Sequence, residues 1–287
     1  MKARLLIFFL VLCSAVGRAQ RNDFIGRGEL LILGGGMNYL GDLNGQSAFG
    51  TPHVGYGLGF RYRLDNRWAL RLQLSHGTVA SGDEDVVALR NLHFQSDISE
   101  LAALAEFNFA PFGTGRSENA WTPYLFGGLA VFHFNPMTQV VDNDGHPQWV
   151  ELQPLHTEGQ GSALYPDRKP YLLYQVCMPF GVGLKCRLGR SVSLAAEYGF
   201  RKTWTDYLDD VSTTYVEADV LRANLTDGEM ALRLADRSGE VEPGYVNAPG
   251  IKRGDDSLDD WYAFFHVSLG ISLEPLLGWT RRKRCKL

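Results

Sequence analysis

The alternation of side chains over residues 54–64 is the most informative pattern in this chain. The segment reads VGYGLGFRYRL, and successive side chains of a β-strand point to opposite faces. One face would carry large apolar side chains, and the other would carry glycines followed by Arg61 and Arg63. Such a division is typical of a strand that lies between lipid and a polar lumen. Because a bilayer admits no open sheet edge, strands of this kind must close into a barrel.

Seven further segments have the length of membrane-spanning strands, and most of them alternate in the same way. The eight predicted strands are 29–40, 54–64, 68–79, 98–109, 123–134, 174–188, 192–203 and 261–273. The first and fifth do not alternate cleanly, so no inward face is assigned to them.

The connections between these strands alternate between short turns and long loops, of which 135–173 and 204–260 are the longest. This asymmetry predicts an all-β fold, an eight-stranded antiparallel transmembrane β-barrel with short periplasmic turns and long extracellular loops. Both termini would then lie in the periplasm of an outer-membrane protein. A soluble β-sandwich is the alternative, but it gives no reason for the long loops to fall at one end.

Nine charged side chains are predicted to face the lumen. They are Arg61, Arg63, Arg71, Glu100, Glu106, Lys185, Arg187, Glu197 and Arg201. An eight-stranded barrel is just wide enough for side chains to fill it, and buried charges must be paired. The excess of basic groups is compatible with an anion-selective pore, but a packed, salt-bridged plug is the favoured interpretation.

The two ends of the chain indicate export and a basic tail. Charged residues precede an apolar run, and small residues follow it, which predicts a signal peptide over 1–19 and a barrel over 20–275. The segment 276–287 would be a basic periplasmic tail that binds an acidic partner or lipid head groups, unless it is unstructured. Its candidate contact residues are Arg281, Arg282, Lys283 and Arg284.

The last loop, 204–260, contains fourteen acidic and five basic residues. Apolar positions over 215–236 recur at near-helical spacing and predict a short amphipathic helix. Clustered aspartates could hold calcium, but no segment has the spacing of a calcium loop, so a solvated acidic loop is preferred.

Catalytic candidates are few. His266 and Ser268 share one face of the last strand and resemble the His–Ser pairing of barrel lipid A deacylases, but they would point into the lumen, away from lipid. Ser75 and His76 are adjacent and therefore lie on opposite faces. The sequence shows no metal-ligand spacing, and we expect neither a cofactor nor a metal.

Four segments carry a resemblance to a known family. They are 38–43 (NYLGDL), 122–136 (TPYLFGGLAVFHFNP), 201–212 (RKTWTDYLDDVS) and 253–262 (RGDDSLDDWY). Together they resemble a Bacteroidota outer-membrane β-barrel family that includes the PorG component of the type IX (Por) secretion system. The resemblance covers nearly the whole mature chain, and the segment TDYLDD is its most specific part.

The resemblance implies a non-enzymatic scaffold. In that family the barrel anchors a periplasmic ring to the outer membrane, and the ring is built from a lipoprotein and its partner. The secretion system that contains this ring supports protein export and gliding. The expected partners are therefore outer-membrane lipids and this ring, with no nucleic acid. Asp65 and Arg67, in the first short turn, join the tail cations as candidate contacts. A small porin or ligand-binding barrel is the alternative, and a lipid A hydrolase is a third.

Overall fold

The computed structural model describes residues 28–43, 52–83, 89–112, 119–142, 144–188 and 191–273. Within them, ten antiparallel strands form one sheet. The strands are β1 (Gly28–Leu40), β2 (His53–Arg63), β3 (Trp68–Gly82), β4 (His93–Asn108), β5 (Trp121–His133), β6 (Pro136–Val141), β7 (Pro147–Glu151), β8 (Tyr174–Arg187), β9 (Val192–Thr203) and β10 (Trp261–Ser272).

Eight of these strands close into a barrel. β1 pairs with both β2 and β10, and the pairing of β3 with β4 joins the first and last of the eight barrel strands in the order of the sheet. The eight-stranded antiparallel barrel predicted from the sequence is therefore confirmed. We call the end with the tight β2–β3 and β8–β9 turns the turn end, and the opposite end the loop end.

The polar and apolar alternation sets which side chains face inward. In β3 the outward Leu72 is 56 % exposed, whereas its neighbour Arg71 is 1 % exposed. The first and fifth predicted strands, to which the sequence assigned no inward face, have one in the structure. In β1, Leu31 and Leu33 are buried in the lumen beside Glu29, so both faces carry apolar side chains and the polarity pattern is lost.

Two differences from the predicted elements occur at the loop end. β4 begins at His93 rather than near residue 98, because its first residues pair with β3 as far as Gly82. The segment predicted as a plain loop over 135–173 contains the hairpin β6–β7, and β6 pairs with β4 through Gln95 and Ser96.

Besides a short 3-10 helix (Ser238–Glu240), the last loop contains two α-helices rather than the single predicted one. These are α1 (Ala218–Arg222) and α2 (Gly228–Ala235). Asp227 separates them because its carboxylate accepts a hydrogen bond from the Met230 N–H, at 3.0 Å, and caps α2. No helix among the described residues is long and apolar enough to cross a bilayer.

The outer surface of the barrel carries a continuous apolar belt. Its leucines include Leu58 and Leu129, which are 61 % and 66 % exposed. Aromatic side chains border the belt at the turn end (Phe109, Trp121) and at the loop end (Tyr56, Tyr174). The 13 residues of β5 rise roughly 30 Å along the axis at about 3.3 Å per residue and a tilt near 40°. The strand is therefore long enough to cross the hydrocarbon core of a bilayer.

Candidate functional site

Charged side chains converge on Glu106 in the turn-end half of the lumen. Its carboxylate accepts hydrogen bonds from Lys185 Nζ at 2.6 Å and from Arg61 Nε at 3.0 Å. Arg71 Nη1 lies 3.1 Å from the same carboxylate. All four side chains are at most 2 % exposed, so water does not solvate their charges. One carboxylate thus balances part of the charge of three buried cations.

Two further carboxylates complete this network. Glu29 accepts from Arg61 Nη1 at 2.9 Å, and Glu197 accepts from Arg71 Nη2 at 2.7 Å. The Tyr124 hydroxyl also donates to Glu197. The ammonium of Lys185 lies 4.0 Å from the centroid of the Tyr124 ring, a cation–π contact.

A second cluster surrounds Glu100, nearer the loop end. Its carboxylate accepts from Arg201 Nε at 3.0 Å, from the Tyr262 hydroxyl at 2.7 Å and from Ser75 Oγ at 3.1 Å. The thiol of Cys177 packs 3.6 Å from the same tyrosine hydroxyl. The two clusters together fill the lumen with paired charges and aromatic rings.

The structure brings together most of the lumen residues predicted from the sequence. Eight of the nine are buried, and Arg187 is half-buried. Arg63 lies 3.7 Å from Glu29. Sequence reasoning missed Glu29 and Tyr124, because no inward face was assigned to the first and fifth strands. Glu29 reduces the excess of positive charge that the sequence indicated.

The loops at the loop end pack into a cap that has its own charge network. Glu158 accepts from Arg253 Nη1 and from the Ser212 N–H, both at 2.9 Å. Arg253 also donates to the main-chain oxygens of Ala235, at 3.0 Å, and Asp210. One guanidinium therefore joins the segments before β8, after β9 and before β10.

The prediction of a solvated acidic loop is wrong for three aspartates of the last loop, because Asp209, Asp210 and Asp260 are at most 1 % exposed. Asp210 accepts from the hydroxyls of Thr157 and Tyr171. Burial raises the pKa of Asp210 to about 6, and the nearby guanidinium of Arg253 opposes this shift.

The catalytic candidates do not form an accessible site. His266 and Ser268 lie inside the lumen, each 1 % exposed, and His266 Nε2 is 3.6 Å from Glu197. Ser75 faces the lumen, whereas His76 faces outward and its Nδ1 is 2.9 Å from Ser99 Oγ. No group of three histidine, cysteine or acidic residues in the described ranges could hold a metal ion.

The candidate contact residues of the first short turn form hydrogen bonds within this turn and to the neighbouring turn. Asp65 accepts from the N–H groups of Arg67 and Trp68, both at 2.7 Å. Arg67 Nη1 donates to the main-chain oxygen of Phe109 at 2.9 Å, which ties this turn to its neighbour. The signal peptide (1–19) and the tail cations (281–284) lie outside the described residues.

Comparison with known families gives one match. The profile of a family described as a domain of unknown function (DUF6089) matches residues 2–148, slightly more than half of the chain. No curated protein is significantly similar to the chain.

Several solved structures are similar to the chain. Ail, the attachment invasion locus protein of Yersinia pestis, was solved with the heparin analogue sucrose octasulfate. It has a TM-score of 0.39 and 9 % identity, over 86 % of this chain and 99 % of Ail. Neisserial surface protein A has a TM-score of 0.37 and 8 % identity, over 85 % and 96 % of the two chains. The outer membrane protein OprG of Pseudomonas aeruginosa has a TM-score of 0.37 and 13 % identity, over 86 % and 97 %.

Proposed function

This chain belongs to the DUF6089 family, and we propose that it is a non-enzymatic outer-membrane barrel that anchors the periplasmic ring of a type IX protein secretion and gliding apparatus. The fold supports the location in a membrane, and the resemblance of four sequence segments supports the partner. Under this proposal the turn end faces the periplasm and the capped loop end faces the exterior.

The apolar belt supports the membrane location. Outward leucines such as Leu58 and Leu129 would be exposed to water in a soluble protein. A soluble monomer rarely exposes a large contiguous apolar patch. The aromatic side chains at both edges of the belt are those enriched at membrane–water interfaces.

The filled lumen is the observation that favours an anchor over a pore. Arg61, Arg71 and Lys185 would line any conduction path through the turn-end half, but their charges are already paired with carboxylates. A rigid, plugged barrel fixed in lipid can hold a partner against the membrane without conducting. The partner would contact the short turns and the basic tail.

A pull-down from native outer membranes tests this function. The tagged protein is isolated from cells, and co-purifying proteins are identified by mass spectrometry. We expect a ring-forming periplasmic lipoprotein and its partner to be recovered. Recovery of the barrel without them would contradict the anchor function and leave the fold intact.

A variant pair tests the contact surface. Substituting Gln for Arg281, Arg282, Lys283 and Arg284 removes four charges from the tail. The control makes the same charge change on exposed cations of the cap, and uses Lys169, Arg222, Arg233 and Lys252. We expect only the tail variant to lose the ring, and equal recovery from both variants would show that the tail is not the contact.

A further inference from the structure

Three segments of the chain meet at a single buried tyrosine hydroxyl. Tyr39, near the loop end of β1, is 2 % exposed, and Asp209 and Asp260 are each 1 % exposed. The hydroxyl oxygen of Tyr39 lies 2.6 Å from Asp209 Oδ2 and 2.7 Å from Asp260 Oδ1. Asp209 follows β9, and Asp260 immediately precedes β10, so the contact fastens both ends of the last loop to the barrel rim.

The number of hydrogens at this site requires a protonated carboxyl group. A phenol has one hydrogen to donate, and an ionised carboxylate has none. If both aspartates were ionised, Tyr39 could donate its one hydrogen to only one of the two carboxylates. The second short contact is a hydrogen bond only when that carboxyl group carries a proton and donates it to the phenol oxygen.

The remaining carboxylate oxygens identify where that proton sits. Asp209 Oδ1 accepts from the Val211 N–H, and Asp260 Oδ2 accepts from the Leu208 N–H, both at 2.9 Å. The carboxylate oxygens that do not contact Tyr39 therefore already accept hydrogen bonds from the backbone. The shared proton lies on the side of the carboxyl groups that faces Tyr39.

We propose that Tyr39, Asp209 and Asp260 form a proton-held latch, in which one shared proton keeps the last loop (204–260) closed over the barrel mouth and its loss releases the loop. With both carboxylates ionised, two negative oxygens at most about 5 Å apart would repel each other in a buried site where water screens poorly. The repulsion separates Asp209 and Asp260 from the rim.

The packing around the latch leaves little room for rearrangement. A Cβ atom on Gly41 would lie 1.8 Å from Asp260 Oδ1 and 2.1 Å from the hydroxyl oxygen of Tyr39. The backbone after β1 therefore closes over the two groups. Asp260 is also held through its main chain, since its N–H donates to the Thr205 oxygen at 2.9 Å.

Other charged groups face the pair from every neighbouring segment. The charged groups are Asp42 after β1, Arg90 before β4, Asp206 after β9 and Arg253 before β10, and the neutral phenol of Tyr171 before β8 also faces the pair. The acids disfavour a second negative charge, and the arginines favour it. Arg90 is paired with Asp83 at 2.5 Å, and Arg253 is paired with Glu158 at 2.9 Å, so both cations already have carboxylate partners.

The direction of the pH effect follows from burial. Burial raises the pKa of Asp209 to about 8, although the hydrogen bonds from Tyr39 and Val211 and the charge of Arg253 oppose the shift. Burial and the charge of Asp209 raise the pKa of Asp260 well above its usual value. A raised carboxyl pKa stabilises the folded form fully below the ordinary value near 4, and this stability is lost as pH rises towards 8.

Limited proteolysis of the full-length protein in lipid vesicles tests the latch. The rate of cleavage within 204–260 is measured between pH 6 and pH 9.5, with the protease activity normalised on a denatured substrate. We expect the wild-type rate to rise by up to about a hundredfold over this range, because the opening equilibrium rises tenfold for each pH unit between pH 6 and the raised pKa. Heat-dependent gel mobility, which reports an intact barrel, should not change.

Asp260→Asn is the decisive variant, because its amide mimics the protonated acid. The amide nitrogen can donate to Tyr39 and the amide oxygen can accept from Leu208 at any pH. We expect this variant to resist cleavage equally at pH 6 and pH 9.5. Asp209→Asn should behave in the same way and serves if the first variant does not fold. Asp142→Asn, in the exposed β6–β7 turn, should keep the wild-type pH profile.

Two results would overturn the latch. One is a wild-type cleavage rate that does not change between pH 6 and pH 9.5. The other is a folded Asp260→Asn or Asp209→Asn variant that opens with the wild-type pH profile, since the loop would then respond to a different titrating group. Both results are independent of whether the protein binds a periplasmic ring.

Discussion

Glu106 is a single buried carboxylate that contacts three cations of the lumen. It contacts Lys185, Arg61 and Arg71, and its own exposure is zero. A buried ion pair adds little net stability compared with an apolar pair, but removing one partner leaves a desolvated charge without compensation. Here the loss of one carboxylate would leave three cations with fewer partners.

We therefore expect Glu106→Gln to lower the free energy of unfolding by about 3–5 kcal/mol. The measurement is a urea titration of the protein in lipid vesicles, followed by tryptophan fluorescence. Glu242→Gln, on the exposed part of the cap, removes the same charge and should change stability by less than about 0.5 kcal/mol. Equal stability of the two variants would mean that the lumen network is more hydrated than its geometry indicates.

At the residue scale, the sequence predicts the inward charges but not their partners. Arg61 and Arg71 stand opposite apolar neighbours in clean period-2 segments, so their direction is predictable. Tyr124 is different, because its strand carries aromatic and apolar residues on both faces. Pairing also depends on which strands are neighbours across the lumen, and the alternation within one strand carries no information about that.

Among the elements, the cap depends on one side chain that links otherwise separate segments. Arg253 is 2 % exposed and joins Glu158, the Asp210 oxygen and the Ala235 oxygen at the end of α2. None of these three bonds involves a residue of a barrel strand. The cap can therefore loosen without unfolding the barrel.

Arg253→Met tests this separation, since methionine keeps much of the stem and removes every donor. We expect cleavage within the last loop to increase severalfold at pH 6, where the latch is closed, because the buried carboxylate of Glu158 loses its cationic partner. Heat-dependent gel mobility should remain that of a folded barrel. Arg222→Met, on the exposed face of α1, is the control and should leave cleavage unchanged. Loss of the folded barrel in Arg253→Met would contradict the independence of the cap.

The elements of the barrel are predictable from the sequence, whereas those of the cap are only partly so. Barrel strands repeat one pattern imposed by lipid on one side and a lumen on the other. The hairpin β6–β7 has no such constraint: β7 is largely exposed, and β6 pairs with β7 over five residues but with the barrel strand β4 over only two. The helices of the last loop follow a recognisable apolar spacing, but the capping Asp227 divides them.

At the scale of the whole molecule, the apolar belt on the outside of the barrel indicates a position in a bilayer. Leu72 is 56 % exposed in the middle of β3, and Leu225 is fully exposed on the cap. In a protein that spans a bilayer, these two leucines face lipid and water respectively. The same substitution at the two positions should therefore have different costs.

We expect Leu72→Arg to lower the free energy of unfolding in lipid vesicles by about 2–4 kcal/mol, the cost of an arginine near the bilayer midplane. Leu225→Arg should change it by less than about 0.5 kcal/mol, because the side chain stays in water. Urea titration of both variants in the same vesicles gives the comparison. Equal stabilities would contradict a lipid-facing belt.

The filled lumen makes a final prediction about the molecule as a channel. Conduction requires a continuous aqueous path, and the side chains of Arg61, Arg71 and Lys185 occupy the turn-end half as paired, desolvated charges. We expect the full-length protein to show no unitary current steps in a planar bilayer at neutral pH, after insertion is verified by protease protection. A general porin in the same lipid is the positive control. Reproducible anion-selective steps would contradict the plug and favour a pore, because the basic groups of the lumen would then face water.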